Sequence, residues 1–255
     1  MSVINLAPRK IYYEKYPATK PKGTIIFIHG SGGTSQVWRE QVKELSRFWD
    51  CISIDLPDHG ESSGPVCASV GEAASLLRTF ITEQCLLKPL CIVGHSLGAA
   101  IALHYARYFA DDLKAFILIG GGAKLKVLPQ VLEGLARGEM NEAFARMTFS
   151  PLSDPTLIEA EVITYMQNSP AVLYADLSAC NEFNFTDQLA AITLPGLIIV
   201  GKEDVLTPVK YAEYLKTHLA GASLEVIETA GHFTMLEDPA AVNTAIIEFI
   251  NKIGT

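Results

Sequence analysis

Strand-length apolar runs alternate with stretches of helical spacing along most of this chain, and that alternation narrows its fold more than any other feature. The runs 24–28, 51–56, 90–93, 113–119, 197–200 and 224–227 are continuously apolar or nearly so, as expected of strands buried on both faces. Between them, 37–48, 70–87, 97–109, 209–219 and 240–252 carry helical patterns. In the first, Trp38, Val42, Leu45 and Phe48 fall on one face; in the second, Ala73, Leu76, Leu77, Phe80 and Ile81 do. Such a series predicts a parallel sheet joined by right-handed crossovers, with helices on both faces. Residues 3–17 read as two short strands around Ala7-Pro8-Arg9-Lys10, an antiparallel hairpin.

The alternation breaks once. Over 123–187 there are helical patterns and no convincing strand: 128–137, 139–147, 155–168 and 170–180, separated by Ser150-Pro151, Asp154-Pro155 and Ser169-Pro170. The expected organisation is a core of 1–122 and 188–255, with 123–187 as a helical cap over the strand ends.

Composition bounds the function. The 255 residues are 49% hydrophobic and 19% charged, ample for a core. A net charge of −8 without any Lys/Arg run argues against nucleic acid or an anionic membrane as the main partner. The first residues lack a basic segment followed by an apolar one, so no signal peptide is expected. Five scattered cysteines without a C-x-x-C pair read as free thiols, consistent with a cytoplasmic chain. No His/Cys/Asp cluster has metal-ligand spacing, and no G-x-G-x-x-G opens a helix, so no cofactor is expected. Gly120-Gly121-Gly122 reads as a strand end and hinge rather than a phosphate site.

Chemistry concentrates at Gly94-His95-Ser96-Leu97-Gly98. Read as strand, sharp turn and helix, this places Ser96 on the turn, where small residues two before and two after let strand and helix nearly touch. The rival reading is an ordinary βα turn with a surface serine. A serine hydroxyl needs a base, and the base needs orienting. Reactive groups gather at the carboxyl ends of strands in such sheets. Two loops meet that description: Gly201-Lys202-Glu203-Asp204 and Ala230-Gly231-His232-Phe233. Glu203 is the rival acid to Asp204.

With those residues in order, the chain resembles the α/β-hydrolase family over nearly its whole length. His29-Gly30-Ser31-Gly32-Gly33 is similar to the family's oxyanion loop, and Asp55-Leu56-Pro57-Asp58-His59-Gly60-Glu61-Ser62 to its second signature turn. Gly94–Gly98 matches its elbow. The acid loop continues into Thr207-Pro208, and the histidine loop into Glu237-Asp238-Pro239. Asp58 stands where such proteins often carry glycine, and Gly32 where many carry proline.

The resemblance implies an α/β-hydrolase fold with a mostly parallel eight-stranded sheet. It implies Ser96 as nucleophile, His232 as base and Asp204 as its orienting acid. The Leu97 N–H and one N–H of the oxyanion loop would receive the oxyanion, Ser31 first and Gly32 as alternative. Phe144, Met147, Tyr165 and Phe233 are expected to contact substrate. Arg137 and Arg146 are expected in solvent; one turned inward would favour an acidic substrate. His29 and His59 are expected to hold loops, and His95 to point away from the substrate.

The leading expectation is hydrolysis of a small carboxylic ester or thioester by a monomer or homodimer. The alternatives are carbon–carbon bond cleavage, elimination or perhydrolysis on the same triad, or a ligand receptor with slow turnover.

Overall fold

The computed structural model describes residues 2–254. Eight strands form one sheet: β1 (Ser2–Leu6), β2 (Arg9–Tyr16), β3 (Thr24–Ile28), β4 (Asp50–Ile54), β5 (Leu90–His95), β6 (Ala115–Ile119), β7 (Gly196–Gly201) and β8 (Ala222–Ile227). Their order is β1-β2-β4-β3-β5-β6-β7-β8. The hairpin β1/β2 and the β2/β4 pair are antiparallel; every later pair is parallel. The helices are α1 (Arg39–Leu45), α2 (Val70–Glu83), α3 (Leu97–Tyr108), α4 (Pro129–Ala136), α5 (Glu142–Arg146), α6 (Pro155–Met166), α7 (Pro170–Glu182), α8 (Val209–His218), α9 (Thr234–Glu237) and α10 (Pro239–Lys252).

Alternation along the central strands splits the core into two layers. Ile26, Ile28, Ile92, Phe116 and Ile198 face one way and pack with Leu77 and Phe80 of α2, Leu103 of α3 and Leu215 of α8. Ile25, Phe27, Val93, Ile117 and Ile199 face the other way, against Val42 of α1 and Val242, Ile246 and Ile250 of α10. Period-two burial on both faces is what continuous apolar runs require.

Two helices depart from the pattern read in sequence. The stretch 37–48 is a 3-10 turn, Ser35–Trp38, followed by the short α1. Because helical phase ends at Leu45, Phe48 loses the inward face and is 53% exposed, with Lys22 Nζ over its ring. Helix α2 stops at Glu83 rather than near 87, and Cys85 beyond it takes a φ of 45°.

Between β6 and β7 the chain leaves the sheet for α4 to α7 and a 3-10 turn, Thr186–Ala191. Pro129, Pro155 and Pro170 each stand at a first helical position, where a missing N–H is harmless. No described helix is long and apolar enough to cross a membrane.

Candidate active site

The β5–α3 turn is forced by sterics. Ser96 sits at φ 53°, ψ −111°, and α3 begins at the next residue. A Cβ on Gly94 would lie 2.0 Å from Gly98 O, and one on Gly98 would lie 2.2 Å from Ile28 O. Neither position accepts a side chain, so strand, turn and helix approach only with glycine at both. Ser96 N donates to Ile119 O at 3.0 Å, tying the strained turn to the neighbouring strand. The Leu97 N–H, at the positive end of α3, has no acceptor among the described residues.

The acid and the histidine leave the ends of the next two parallel strands, β7 and β8. Asp204 Oδ1 accepts the N–H groups of Leu206 and Thr207 at 2.9 and 2.8 Å. Its Oδ2 accepts Thr207 Oγ1 at 2.7 Å and His232 Nδ1 at 2.8 Å. Both side chains are buried. Burial alone would raise the Asp204 pKa, but the His232 ring and the Thr207 donors outweigh it and hold the carboxyl at about 2. Glu203 is exposed, and among the described residues the carboxylate that pairs with His232 is that of Asp204. With Nδ1 engaged by the carboxylate, His232 has Nε2 left for another partner, and the ring borders the same cavity as Ser96. Gly120, at φ +57°, lies under that ring: a Cβ there would be 3.1 Å from Nδ1. Gly120 therefore makes room for the histidine, while Gly121 and Gly122 abut Ala99 and Tyr211.

The cavity is small, about 60 Å³. Of the residues expected to touch substrate, Phe144, Tyr165 and Phe233 line it; Met147 does not. Helix α5 ends at Arg146, which turns Met147 outward to 45% exposure, and Thr148 and Phe149 take the wall instead. Phe149 stacks on Phe233 at 4.9 Å between ring centroids. Val162, Leu177 and Leu206 complete an apolar lining that sequence reading did not single out. Neither insertion arginine faces inward. Arg137 pairs with Glu139, and Arg146 with Glu142 and Glu159. The charged group on the wall is Glu161, paired with Arg39 at 3.2 Å.

The oxyanion-like loop follows β3. Ser31 borders the cavity, and its N–H donates to nothing among the described residues; its buried Oγ has no partner either. The Gly32 N–H is directed instead at His59 Nε2, 3.4 Å away. His29 is fully buried, donates Nδ1–H to Gly30 O at 2.7 Å and accepts Leu56 N–H at 2.9 Å. Burial first, and His59 second, press its pKa down to about 3, so it is a neutral loop tie. In the second signature turn, Asp55 accepts the N–H groups of Ser35 and Glu61 at 2.6 and 2.9 Å. Asp58 has φ 62°, the left-handed conformation that explains why glycine is common there. His95, expected to turn away, borders the cavity: its Nε2–H donates to His232 O at 3.0 Å and its ring lies 4.9 Å from Phe233. Burial and the neighbouring His232 keep it neutral.

Three functional-looking residues escaped sequence reading. Asp176 of α7 lies 3.0 Å from His59 Nε2, both side chains being almost wholly buried. Asn168 Nδ2 donates to Gly32 O at 3.0 Å. Thr148 O accepts His232 N–H at 2.7 Å. For Asp176 a signal existed: with Val172, Leu173, Ala179 and Cys180 it shares the buried face of its helix, a position where an unpaired carboxylate is costly.

The geometry and the comparisons agree on the class. Residues 25–245 match the model of the alpha/beta hydrolase family, and the chain belongs to that family. It is 25% identical over 246 residues to a pimeloyl-[acyl-carrier protein] methyl ester esterase of Vibrio vulnificus, spanning 89% of this chain and 94% of that one. A solved thermophilic esterase is 30% identical with a TM-score of 0.86, covering 99% and 98% of the two chains. The fold also matches the enol-lactonase of Burkholderia xenovorans LB400, at 16% identity and a TM-score of 0.90 over 98% and 100% of the chains. The protein is thus a hydrolase of the esterase type.

Proposed function

We propose that this chain is a serine hydrolase of small, uncharged carboxylic esters or thioesters, working through an acyl-enzyme. One observation carries the reading: a buried Asp204–His232 pair opens onto a cavity whose floor is the Ser96 turn. Ser96 attacks the carbonyl carbon while His232 Nε2 takes its proton. The same nitrogen then delivers that proton to the departing alcohol or thiol, and the cycle repeats with water. Asp204 fixes the ring and stabilises its charged form. The Leu97 and Ser31 N–H groups receive the developing oxyanion; losing one such donor costs about 3 kcal/mol of barrier. The Gly32 N–H, directed at His59, is the weaker choice.

Residues 123–187 serve as the cap, since α5 to α7 supply most of the apolar wall. An acidic substrate would need a free cation there. Both insertion arginines are paired with glutamates and Glu161 faces inward, which favours a neutral acyl group over the diketo acids of carbon–carbon hydrolases. The names of the esterase relatives support the same bond type. The test is Ser96→Ala: turnover of p-nitrophenyl acetate and butyrate disappears. Retained turnover in a folded variant removes the proposal.

A further inference from the structure

Three of the five residues in the loop carrying Ser31 are glycine, so its own backbone does little to fix where Ser31 N–H points. Gly33 N donates to Gly30 O at 3.1 Å, and Gly32 takes φ +71° in the third position of that turn, the conformation a type II turn requires. What holds Gly32 there comes from the insertion. A Cβ on Gly32 would lie 2.9 Å from Leu173 and 3.0 Å from Tyr165, so α6 and α7 close directly onto the backbone. Between those helices, Asn168 Nδ2 donates to Gly32 O at 3.0 Å. It also donates to Thr164 O and Tyr165 O at 3.2 and 3.0 Å, which anchors the amide on its own helix end. On the other side of the same residue, the Gly32 N–H packs against the His59 ring, 3.4 Å from Nε2. That ring is fixed by Nδ1–H to Pro57 O at 3.1 Å and by Asp176 Oδ2, 3.0 Å from Nε2. Asp176 Oδ2 has no other polar partner among the described residues. The glycine is therefore held by a hydrogen bond at its C=O and packed on its N–H side against the His59 ring, whose orientation Asp176 and Pro57 fix.

We propose that Asn168 and the His59–Asp176 pair are positioning residues for the oxyanion loop, so that Ser31 N–H is aimed at the reacting carbonyl only while the insertion is seated on the core. The inference rests on the acyl-transfer reading above. It makes the insertion part of the catalytic apparatus: loosening α6 and α7 lowers turnover, beyond any effect on affinity.

The test is steady-state kinetics on p-nitrophenyl butyrate, with melting temperatures, for Asn168→Ala, Asp176→Asn and the double variant. Each single change is expected to lower kcat about tenfold, a fraction of the 10²–10³ seen when an oxyanion donor is lost outright. KM stays within about twofold, because neither side chain lines the cavity. The double variant loses less than the product of the singles, since both act on one glycine. Arg146→Gln, which releases the exposed bridges from Arg146 to Glu142 and Glu159 without touching Gly32, leaves kcat within about twofold. If Asp176→Asn does not fold, Asn168→Ala carries the test alone, its side chain lying at a half-buried helix end. Wild-type kcat in folded Asn168→Ala overturns the positioning role, as does a raised KM with kcat unchanged. Turnover in Ser96→Ala is a separate failure and overturns the reading beneath it.

Discussion

Two buried histidine–aspartate pairs lie among the described residues, and on the proposed acyl-transfer reading their difference separates a proton carrier from a strut. In His232–Asp204 the carboxylate takes Nδ1, and three further donors, from Leu206 and Thr207, satisfy it. Nε2 is left free at the cavity. In His59–Asp176 the orientation is reversed. A backbone carbonyl takes Nδ1, Nε2 faces the carboxylate, and the acid has no second donor on that oxygen. A histidine whose two nitrogens are both engaged cannot shuttle a proton to substrate. It can hold two parts of a chain together, here the turn after β4 and helix α7.

The largest effect that would break this comparison is on activity. Asp204→Asn removes the carboxylate that selects the ring tautomer, and kcat falls by about 10⁴-fold with the fold retained. Asp176→Asn, changed in the same chemical way, costs only about tenfold. If both variants lost 10⁴-fold, the division into carrier and strut would be wrong. The next effect is on stability. Asp176→Ala strips a buried imidazole of the carboxylate it pairs with, and chemical denaturation should register a loss of about 3 kcal/mol.

The pH dependence of the two pairs has opposite sign. Burial draws His59 toward the neutral form, but Asp176, the Pro57 carbonyl and Asp55 outweigh it and hold its pKa above 6.5. The stabilisation it brings is complete below that value and lost as pH rises through the raised one. His29, its ring 5.0 Å from that of His59, stays neutral down to about pH 3. Asp204 is depressed to about 2, so its contribution is complete above 3.8 and lost as pH falls through 2. Melting curves sharpen the point: the gap between wild type and Asp176→Asn closes on the alkaline side, and the gap to Asp204→Asn closes in acid. Gaps closing on the same side would contradict the assignment. The smallest effect belongs to Glu203→Gln, one residue from the acid yet exposed, which should change kcat by less than about twofold.

The same contrast explains what the sequence disclosed. The elbow, the acid loop and the histidine loop each follow a strand within a few residues, so a local string reports a local geometry. Gly94 and Gly98 are obligatory because backbone atoms stand 2.0 and 2.2 Å from any added Cβ, and that constraint is written in residue type. Asp176 and Asn168 act on a loop more than a hundred positions away, and no spacing along the chain encodes that approach. Asp176 left one trace, an acid on the buried face of an apolar helix. Met147 and Phe48 were misplaced for a related reason: each lies just past the end of a short helix, where the 3.6-residue phase no longer applies.

The most direct measurement is mass spectrometry of the protein quenched during turnover of p-nitrophenyl butyrate. A butyryl adduct on the peptide bearing Ser96, enriched in Asp204→Asn and absent from Ser96→Ala, is the result expected of acyl transfer. An adduct on any other residue, or hydrolysis at the wild-type rate by Ser96→Ala, would contradict it.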